Sequence, residues 1–253
     1  MHDIWLERRR TFRKLHQSGC LLLPNPWDAG GAARLEAMGF KALASSSSAC
    51  AMALGRSDYQ ITLDEALTHL QSLAAATSLP LNADFENGFA DAPEAIAKNV
   101  LRAAATGIAG VSIEDQRSEQ LYDTGLSIER IRAARQALDA GAPEVLLVAR
   151  CEAYLLGQTD PRLVIDRLVQ YADAGADCLY APGVVDLPTI RAIVAAVAPR
   201  PVNVLMYQPQ QRVDELVDAG VRRISLGGVL AHASWRAFEA TARNFLTRGS
   251  LSP

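Results

Sequence analysis

Short apolar segments alternate along the chain with longer segments whose apolar residues recur at helical spacing. The short segments are rich in Leu, Val and Ile and are bounded by Gly, Pro or polar residues, which predicts buried strands. We place these strands at 20–26, 41–47, 79–85, 110–116, 145–151, 178–183, 202–206 and 223–228. Amphipathic stretches such as TLDEALTHLQSLAAAT and DPRLVIDRLVQYADAG separate the strands and predict helices.

Several predicted helices end in glycine, the usual stop before a following strand; these are Gly39, Gly107, Gly141, Gly175 and Gly220. Strands that are apolar throughout and separated by helices predict a parallel sheet covered on both faces. Eight such units in 253 residues predict an α/β fold, a (β/α)8 TIM barrel forming a single domain over residues 1–253. An open doubly wound sheet is the alternative, and the lack of a GxGxxG motif after a strand disfavours it.

Polar side chains gather at the carboxyl ends of the predicted strands, which is where a barrel builds its active site. They are Asn25, Asp28, Ser45, Ser46, Ser47, Ser48, Asn82, Asp84, Glu86, Glu114, Asp115, Gln116, Arg150, Glu152 and Asn203. The amino ends of the same strands hold mainly Gly, Ala and Pro. This asymmetry predicts an enzyme.

The acidic residues at these ends suggest a metal site. Asp84 and Glu114 end neighbouring strands, and Glu86 lies just beyond the first of them. Carboxylates without His or Cys companions suit Mg2+ or Mn2+. The alternative is that the acids form structural ion pairs with Arg150; three acids on adjacent strand ends favour the metal.

Arg150 and the serine segment each allow two interpretations. Arg150 could clamp a substrate carboxylate or stabilise an enolate oxygen, or it could be held by Glu152 or Glu114 to close the barrel. The segment SSSS (45–48) could bind a carboxylate or phosphonate through its N–H groups and hydroxyls, or it could be a polar loop.

Composition narrows the classes of partner. The chain is 49% hydrophobic and 21% charged with a net charge of −3, so it resembles a soluble globular protein without the basic field that nucleic acid requires. We expect no signal peptide and no membrane span, and four scattered cysteines fit a reducing cytoplasm. The three lysines lie away from the strand ends, which disfavours a Schiff-base aldolase, and the four histidines lack zinc-ligand spacing.

A set of motifs, in order and spacing, resembles the isocitrate lyase/phosphoenolpyruvate mutase superfamily over nearly the whole chain. The motifs are PNPWDAGGAARL, the serine segment leading to LGRSD, NADFENGF, GVSIEDQ, ARCEAYLLG, GADCLYAPG and PVNVL. The resemblance implies an α/β barrel that binds Mg2+ at acidic strand ends. It also implies an enzyme that makes or breaks C–C or P–C bonds next to a 2-oxo acid through an enolate.

The resemblance implies that Asp84 and Glu114 hold the metal and that Asp58 reaches it through water. The same region departs from the family motif, which is close to Asp-Ala-Asp-Thr-Gly-Tyr-Gly. Asn82 stands in place of the first Asp, and two extra residues precede the final glycine. We therefore expect Glu86 to replace the lost carboxylate.

For the substrate, the resemblance implies that Arg150 binds the oxo acid and its developing negative charge. The loop containing Ser46 and Ser47 would bind the carboxylate through backbone amides, and Asn203 would add a polar contact from the seventh strand.

The loop after the fourth strand lacks the proton donor of the best-known family members. Isocitrate and methylisocitrate lyases carry Lys-Lys-Cys-Gly-His there, whereas this chain reads EDQRSEQLYDTG (114–125). That disfavours both activities, and the missing loop lysines leave a P–C mutase without support. Tyr122 and Asp123 are the remaining candidates for proton transfer, the alternative being solvated loop residues.

We expect a Mg2+-dependent lyase that cleaves a C–C bond of a small 2-oxo or 2-hydroxy dicarboxylate, oxaloacetate decarboxylation being one case. The alternatives are a mutase or hydrolase acting on the P–C bond of phosphoenolpyruvate or phosphonopyruvate, and a catalytically degenerate barrel that binds a carboxylate. The resemblance also implies a homo-oligomer, a dimer or tetramer that often exchanges its final helix. The last predicted helix carries Trp235, Phe238 and Phe245, which could instead pack in the chain's own core.

Overall fold

The computed structural model describes residues 2–251, within which there are ten strands and ten helices. The strands are β1 (Leu21–Leu23), β2 (Leu43–Ala44), β3 (Leu81–Asp84), β4 (Gly110–Glu114), β5 (Gln116–Arg117), β6 (Gln120–Leu121), β7 (Leu146–Arg150), β8 (Cys178–Tyr180), β9 (Val202–Leu205) and β10 (Arg223–Ser225). The helices are α1 (His2–Leu15), α2 (Ala29–Ala37), α3 (Ser47–Ala53), α4 (Leu63–Ala75), α5 (Pro93–Ala104), α6 (Thr124–Gly141), α7 (Pro161–Asp173), α8 (Leu187–Val197), α9 (Val213–Asp218) and α10 (Val229–Arg248).

Eight of these strands form one parallel sheet in the order β1-β10-β9-β8-β7-β4-β3-β2. Across the described residues, the end strands β1 and β2 share no strand pairing, but the N–H of Ala44 donates to the carbonyl oxygen of Pro24 at 3.0 Å. The sheet therefore curls into a nearly closed barrel with helices between its strands. The predicted (β/α)8 fold and single domain are confirmed, and each predicted strand contains one observed strand.

The second predicted strand, 41–47, is shorter than expected. The strand ends at Ala44, and Ser47 begins helix α3. The hydroxyl oxygen of Ser46 accepts a hydrogen bond from the N–H of Ala49, so Ser46 caps the helix. Serine is a preferred residue at this position because its side chain satisfies a free N–H of the first turn. The serine run is therefore a helix start rather than a strand end.

Helix α1 covers the amino end of the barrel, a role that the strand pattern does not predict. The Phe12 ring is fully buried and packs in a cluster with side chains of the first, second and fifth barrel strands, such as Leu21, Ala44 and Leu146. Arg9 anchors the helix, since its Nε donates to the carbonyl oxygen of Ile108 at 3.0 Å. The amino end of the barrel is thus closed, and the carboxyl end is left for a site.

Most residues of helix α10 are exposed to solvent. Ala231 is the buried residue of this helix, whereas Phe238, Phe245 and Leu246 are 64%, 66% and 85% exposed. Phe238 and Phe245 therefore do not pack in the chain's own core. No helix within residues 2–251 is both long enough and apolar enough to cross a membrane.

The interior of the barrel is tight at Gly110 on β4, and this generates a prediction for Gly110→Ala. A Cβ atom there would lie 2.6 Å from Oδ1 of Asn82 and 2.7 Å from Cε1 of Phe12. Because both neighbours are buried, we expect the unfolding free energy to fall by about 1–3 kcal/mol in urea denaturation. Gly30→Ala in helix α2 is the control, since its nearest contact is 3.5 Å and alanine favours a helix. Equal midpoints for the two variants would contradict the tight packing at Gly110.

Candidate active site

A cavity of about 130 Å³ lies at the carboxyl end of the barrel. Its walls come from the last residues of several strands and from the loops that follow them. The lining residues are Asn25, Ala44, Ser45, Ser46, Ser47, Ser48, Asp58, Tyr59, Asn82, Asp84, Ser112, Glu114, Arg150, Tyr180, Leu205, Arg223, Ser225, Gly227 and Gly228. The predicted location of the site at the strand ends therefore coincides with a real cavity.

Arg150 lies at the centre of this site and contacts three carboxylates. Its Nη1 is 2.7 Å from Oδ1 of Asp84 and 2.8 Å from Oε1 of Glu114. Its Nε and Nη2 donate to the two carboxylate oxygens of Glu152 at 2.7 and 3.1 Å. The Tyr180 ring lies beside the guanidinium, 5.0 Å from Cζ to the ring centroid. Arg150 thus uses its fork of donors to join the ends of three strands.

The pKa shifts around Arg150 show that negative charge exceeds positive charge. Burial alone would lower the pKa of Arg150, but Glu114, Glu152 and Asp84 outweigh that effect and raise it. Burial raises the pKa of Glu114, and Glu152 and Asp84 raise it further. Burial also raises the pKa of Glu152, to about 6, against the opposing effect of Arg150. One guanidinium does not neutralise this many carboxylates.

Asp84 is held from its other side by the start of helix α3. Its Oδ2 accepts from the backbone N–H of Ser47 at 2.9 Å and from the Ser47 hydroxyl at 3.0 Å. The backbone N–H of Asp84 donates to the hydroxyl oxygen of Ser45 at 2.8 Å. Ser46 and Ser47, the predicted carboxylate-binding residues, line the cavity, but both donors of Ser47 are engaged by Asp84.

Glu86 is buried next to this cluster with an unused oxygen. Its backbone is in the left-handed region, with φ of 44°, and its Oε1 has no hydrogen-bond partner among residues 2–251. Burial, together with the charges of Asp84 and Asp58, raises its pKa to about 8. Glu86 does not belong to the lining of the cavity, whereas Asp58 does.

The four predicted metal ligands lie close enough to influence one another but are not arranged as a preformed site. In the described part of the chain, no three His, Cys, Asp or Glu side chains converge as a metal ion would require. Arg150 bridges Asp84 and Glu114 instead. Burial and the charge of Asp84 both raise the pKa of Asp58. The donors are nevertheless hard oxygens in a region of excess negative charge, with one buried oxygen unpartnered, and this chemistry fits Mg2+ or Mn2+.

Tyr122, the predicted proton-transfer candidate, lies outside the set of residues that line the cavity. Its hydroxyl donates to Oδ1 of Asp91 at 2.6 Å and accepts from Nδ2 of Asn87 at 2.9 Å. The Arg130 guanidinium lies 3.9 Å from the centroid of its ring. Asp123, the other loop candidate, caps helix α6 through a bond from the N–H of Gly125. Both residues follow the short β5–β6 hairpin, and neither is among the residues that line the cavity.

Tyr59 is the proton-transfer candidate that the sequence interpretation missed. It lines the cavity, and its hydroxyl donates to Oε2 of Glu114 and accepts from Nε2 of Gln116. Its φ of 61° is unusual for a residue with a bulky side chain. Burial and the charge of Glu114 raise its pKa, so the hydroxyl keeps its proton. The one available signal was its position directly after Asp58.

Asp115 supports the site from behind. Its Oδ1 accepts from the backbone N–H of Glu152 at 2.8 Å, and its Oδ2 accepts from Tyr171 at 2.6 Å and from Arg167 at 3.1 Å. These bonds fix Glu152, which in turn orients Arg150. Asn203, predicted to contact substrate, is buried; its Nδ2 donates to the Ser225 hydroxyl at 3.0 Å, and it is not among the lining residues.

Comparison with known proteins agrees with this architecture. The model of the phosphoenolpyruvate phosphomutase family matches residues 12–246. An uncharacterized protein of Mycobacterium tuberculosis is 34% identical over 92% of this chain and 88% of its own. An oxaloacetate decarboxylase of Rhodopseudomonas palustris is 32% identical over 76% of this chain and 68% of its own.

Among solved structures, a Burkholderia cenocepacia protein provisionally named a lyase/mutase is 43% identical, with a TM-score of 0.95 over 98% of this chain and 91% of that one. The resemblance predicted from the motifs is thereby confirmed, and the chain belongs to the phosphoenolpyruvate phosphomutase family, a group of lyases and mutases.

Proposed function

We propose that the protein is a metal-dependent lyase that cleaves a C–C bond of a small 2-oxo or 2-hydroxy dicarboxylate through a pyruvate-like enolate. The observation that carries the proposal is Arg150, a largely buried guanidinium that lines a small cavity together with the carboxylates of Asp84 and Glu114. The similarity to an oxaloacetate decarboxylase supports decarboxylation of oxaloacetate as one case.

Asp84 and Glu114 would hold Mg2+ or Mn2+, with Asp58 contributing through water and Glu86 as a further carboxylate. The excess negative charge around Arg150 and the unpartnered oxygen of Glu86 support this assignment. When bound, the ion supplies positive charge that stabilises an enolate oxygen.

Arg150 supplies the fixed positive charge for the substrate. Its guanidinium is oriented in advance by Glu152, so little reorganisation is needed when negative charge develops on the oxo acid. The segment with Ser46 and Ser47 lines the same cavity, joined to Arg150 through Asp84, and would bind the substrate carboxylate. For the Ser47 N–H to do so, it must exchange Asp84 for the ligand.

Proton delivery is better supported at Tyr59 than at Tyr122. Tyr59 lines the cavity and its hydroxyl bonds to Glu114, whereas Tyr122 is engaged with Asp91 and is not among the lining residues. A hydroxyl that bonds to Glu114 can pass a proton between that carboxyl group and a substrate carbon. Tyr122 instead orders the loop after β4.

A second candidate is P–C bond chemistry on phosphoenolpyruvate or phosphonopyruvate, which the name of the matching family model favours. A catalytically degenerate barrel that binds a carboxylate is the third, and the bridging of Asp84 and Glu114 by Arg150 favours it. Turnover separates the three.

We expect pyruvate release from a dicarboxylate when the protein is assayed with Mg2+ on oxaloacetate, methylisocitrate, dimethylmalate and phosphonopyruvate, and we expect EDTA to abolish it. Arg150→Lys keeps a positive charge among the carboxylates but loses the fork, so turnover should fall about 10²- to 10³-fold. Arg132→Lys, at an exposed site, is the control. Turnover of phosphonopyruvate alone, to pyruvate by a hydrolase or to phosphoenolpyruvate by a mutase, would support the P–C alternative. Silence across the panel from folded protein, with no phosphoenolpyruvate formed from phosphonopyruvate, would support the degenerate barrel.

The raised pKa of Glu86 predicts a pH-dependent stability in EDTA. Its pKa is near 4.5 when unfolded and about 8 when folded, so the folded state binds a proton that the unfolded state releases. The stability that the protonated Glu86 carboxyl contributes to the folded state is therefore complete at low pH. It is lost as pH rises, and the free energy of unfolding falls by about 1.4 kcal/mol per pH unit between roughly pH 5 and 8. When the unfolding free energy from urea denaturation is plotted against pH, Glu86→Gln should show a slope smaller by this amount. Glu94→Gln, at an exposed site, should match the parent. An unchanged slope in Glu86→Gln would contradict the buried, proton-binding carboxyl.

We further propose that the protein is a homo-oligomer, a dimer or tetramer joined through helix α10. Its exposed Phe238 and Phe245 form a stripe on one face that a second copy would cover. Light scattering after gel filtration should give a multimer for the parent and a smaller species for Phe238→Glu/Phe245→Glu. Arg243→Glu, on the opposite face of the helix, should leave the mass unchanged. A monomeric parent would contradict this assembly.

A further inference from the structure

The cavity has a second arginine, Arg223, which the sequence interpretation and the proposed mechanism leave without a role. Arg223 begins strand β10 beside Asn203 of β9, is 2% exposed, and lines the cavity. Its guanidinium carbon lies 5.9 Å from the centroid of the Phe12 ring, which belongs to the helix that closes the amino end of the barrel. Arg223 therefore lies at the deep end of the cavity, whereas Arg150 ends its strand nearer the opening.

The Arg223 guanidinium is buried without a counter-ion. Its Nε and Nη1 have no hydrogen-bond partner among residues 2–251, and no carboxylate in that part of the chain forms an ion pair with it. Arg150 repels it, and Asp84 attracts it from beyond ion-pair distance. A buried cation in this state is unfavourable, because the free energy of its lost hydration is not recovered. Its donors are available to an anion that enters the cavity.

A second polar residue of the cavity wall also has an unused group. Asn82 lines the same cavity as Arg223, at the position where the family motif carries Asp. The Nδ2 of Asn82 donates to the carbonyl oxygen of Ala83 at 3.0 Å, which fixes its orientation, and its Oδ1 has no partner among the described residues. The deep end thus presents unused donors on Arg223 and an unused acceptor on Asn82.

We propose that Arg223 binds a second carboxylate of the ligand and thereby selects dicarboxylates over monocarboxylates. The ligand would span the cavity, with one end at Arg150 and Ser47 and the other at Arg223. A cavity of about 130 Å³ limits such a ligand to a small acid. This inference rests on the proposed function for the chemistry at Arg150, and it adds the residue that reads the distal end of the substrate.

The test compares malate with lactate, which share a 2-hydroxy acid and differ by a second carboxylate. Isothermal titration calorimetry in Mg2+ should show tighter binding of malate to the parent. Arg223→Met should weaken malate binding about 10- to 100-fold and leave lactate binding unchanged, because the charge-assisted bonds are lost at one end alone. Arg223→Lys should retain part of the preference, and Arg222→Met, at an exposed neighbour, should retain all of it.

Stability provides a second measurement. If Arg223 serves a ligand, Arg223→Met should melt at the parent's temperature or above, since methionine fills similar space without a buried charge. A variant that does not fold, an equal loss of malate and lactate binding, or no binding of malate by the parent would each overturn the inference. The outcome is separable from that of the proposed function. Malate selectivity that depends on Arg223 in a protein without turnover would support the inference and reject the lyase, whereas turnover with unchanged selectivity in Arg223→Met would do the reverse.

Discussion

The contact between Arg150 and three carboxylates is the interaction on which the rest of the site depends. Asp84, Glu114 and Arg150 end three adjacent strands, and Glu152 follows directly after the third. Removing one partner from such a buried group costs about 3–5 kcal/mol because the remaining charges lose their compensation. The same contacts therefore set the shape of the barrel's open end and the electric field in the cavity.

This dual role explains why the sequence left two interpretations of Arg150 open. The structure contains the ion pairs that the structural interpretation required, and it also places the guanidinium in the wall of a cavity. Asp115 extends the arrangement outward, since it fixes the backbone of Glu152 and is itself held by Arg167 and Tyr171. The orientation of Arg150 is thus set by several layers of bonds before any substrate arrives.

Sequence patterns predicted the features that depend on strand order. Alternating strands and helices specify a barrel, and a barrel brings strand ends together, so Asp84, Glu114 and Arg150 could be placed near one another without coordinates. Loop residues could not be placed in this way. Tyr122 lies eight positions after Glu114, yet the β5–β6 hairpin directs it to Asp91, whereas Tyr59 reaches Glu114 from a loop far away in sequence. The conformation of such loops depends on tertiary contacts that spacing does not encode.

The incomplete pairing of β1 with β2 gives the cavity two unequal halves. On the Arg150 side, continuous ladders join β3 to β4, β4 to β7 and β7 to β8, and the ion pairs of Arg150 join the strand ends. On the other side, the join relies on the Ala44–Pro24 bond and on Asn25, whose amide spans from the carbonyl oxygen of Ser45 to the N–H of Gly227. The serine segment follows β2 at this join, and its bonds to Asp84 tie it to strand β3. The circle of strands is therefore closed at one place by single hydrogen bonds and everywhere else by continuous ladders, and this join is the position at which the barrel could widen at the lowest cost in hydrogen bonds.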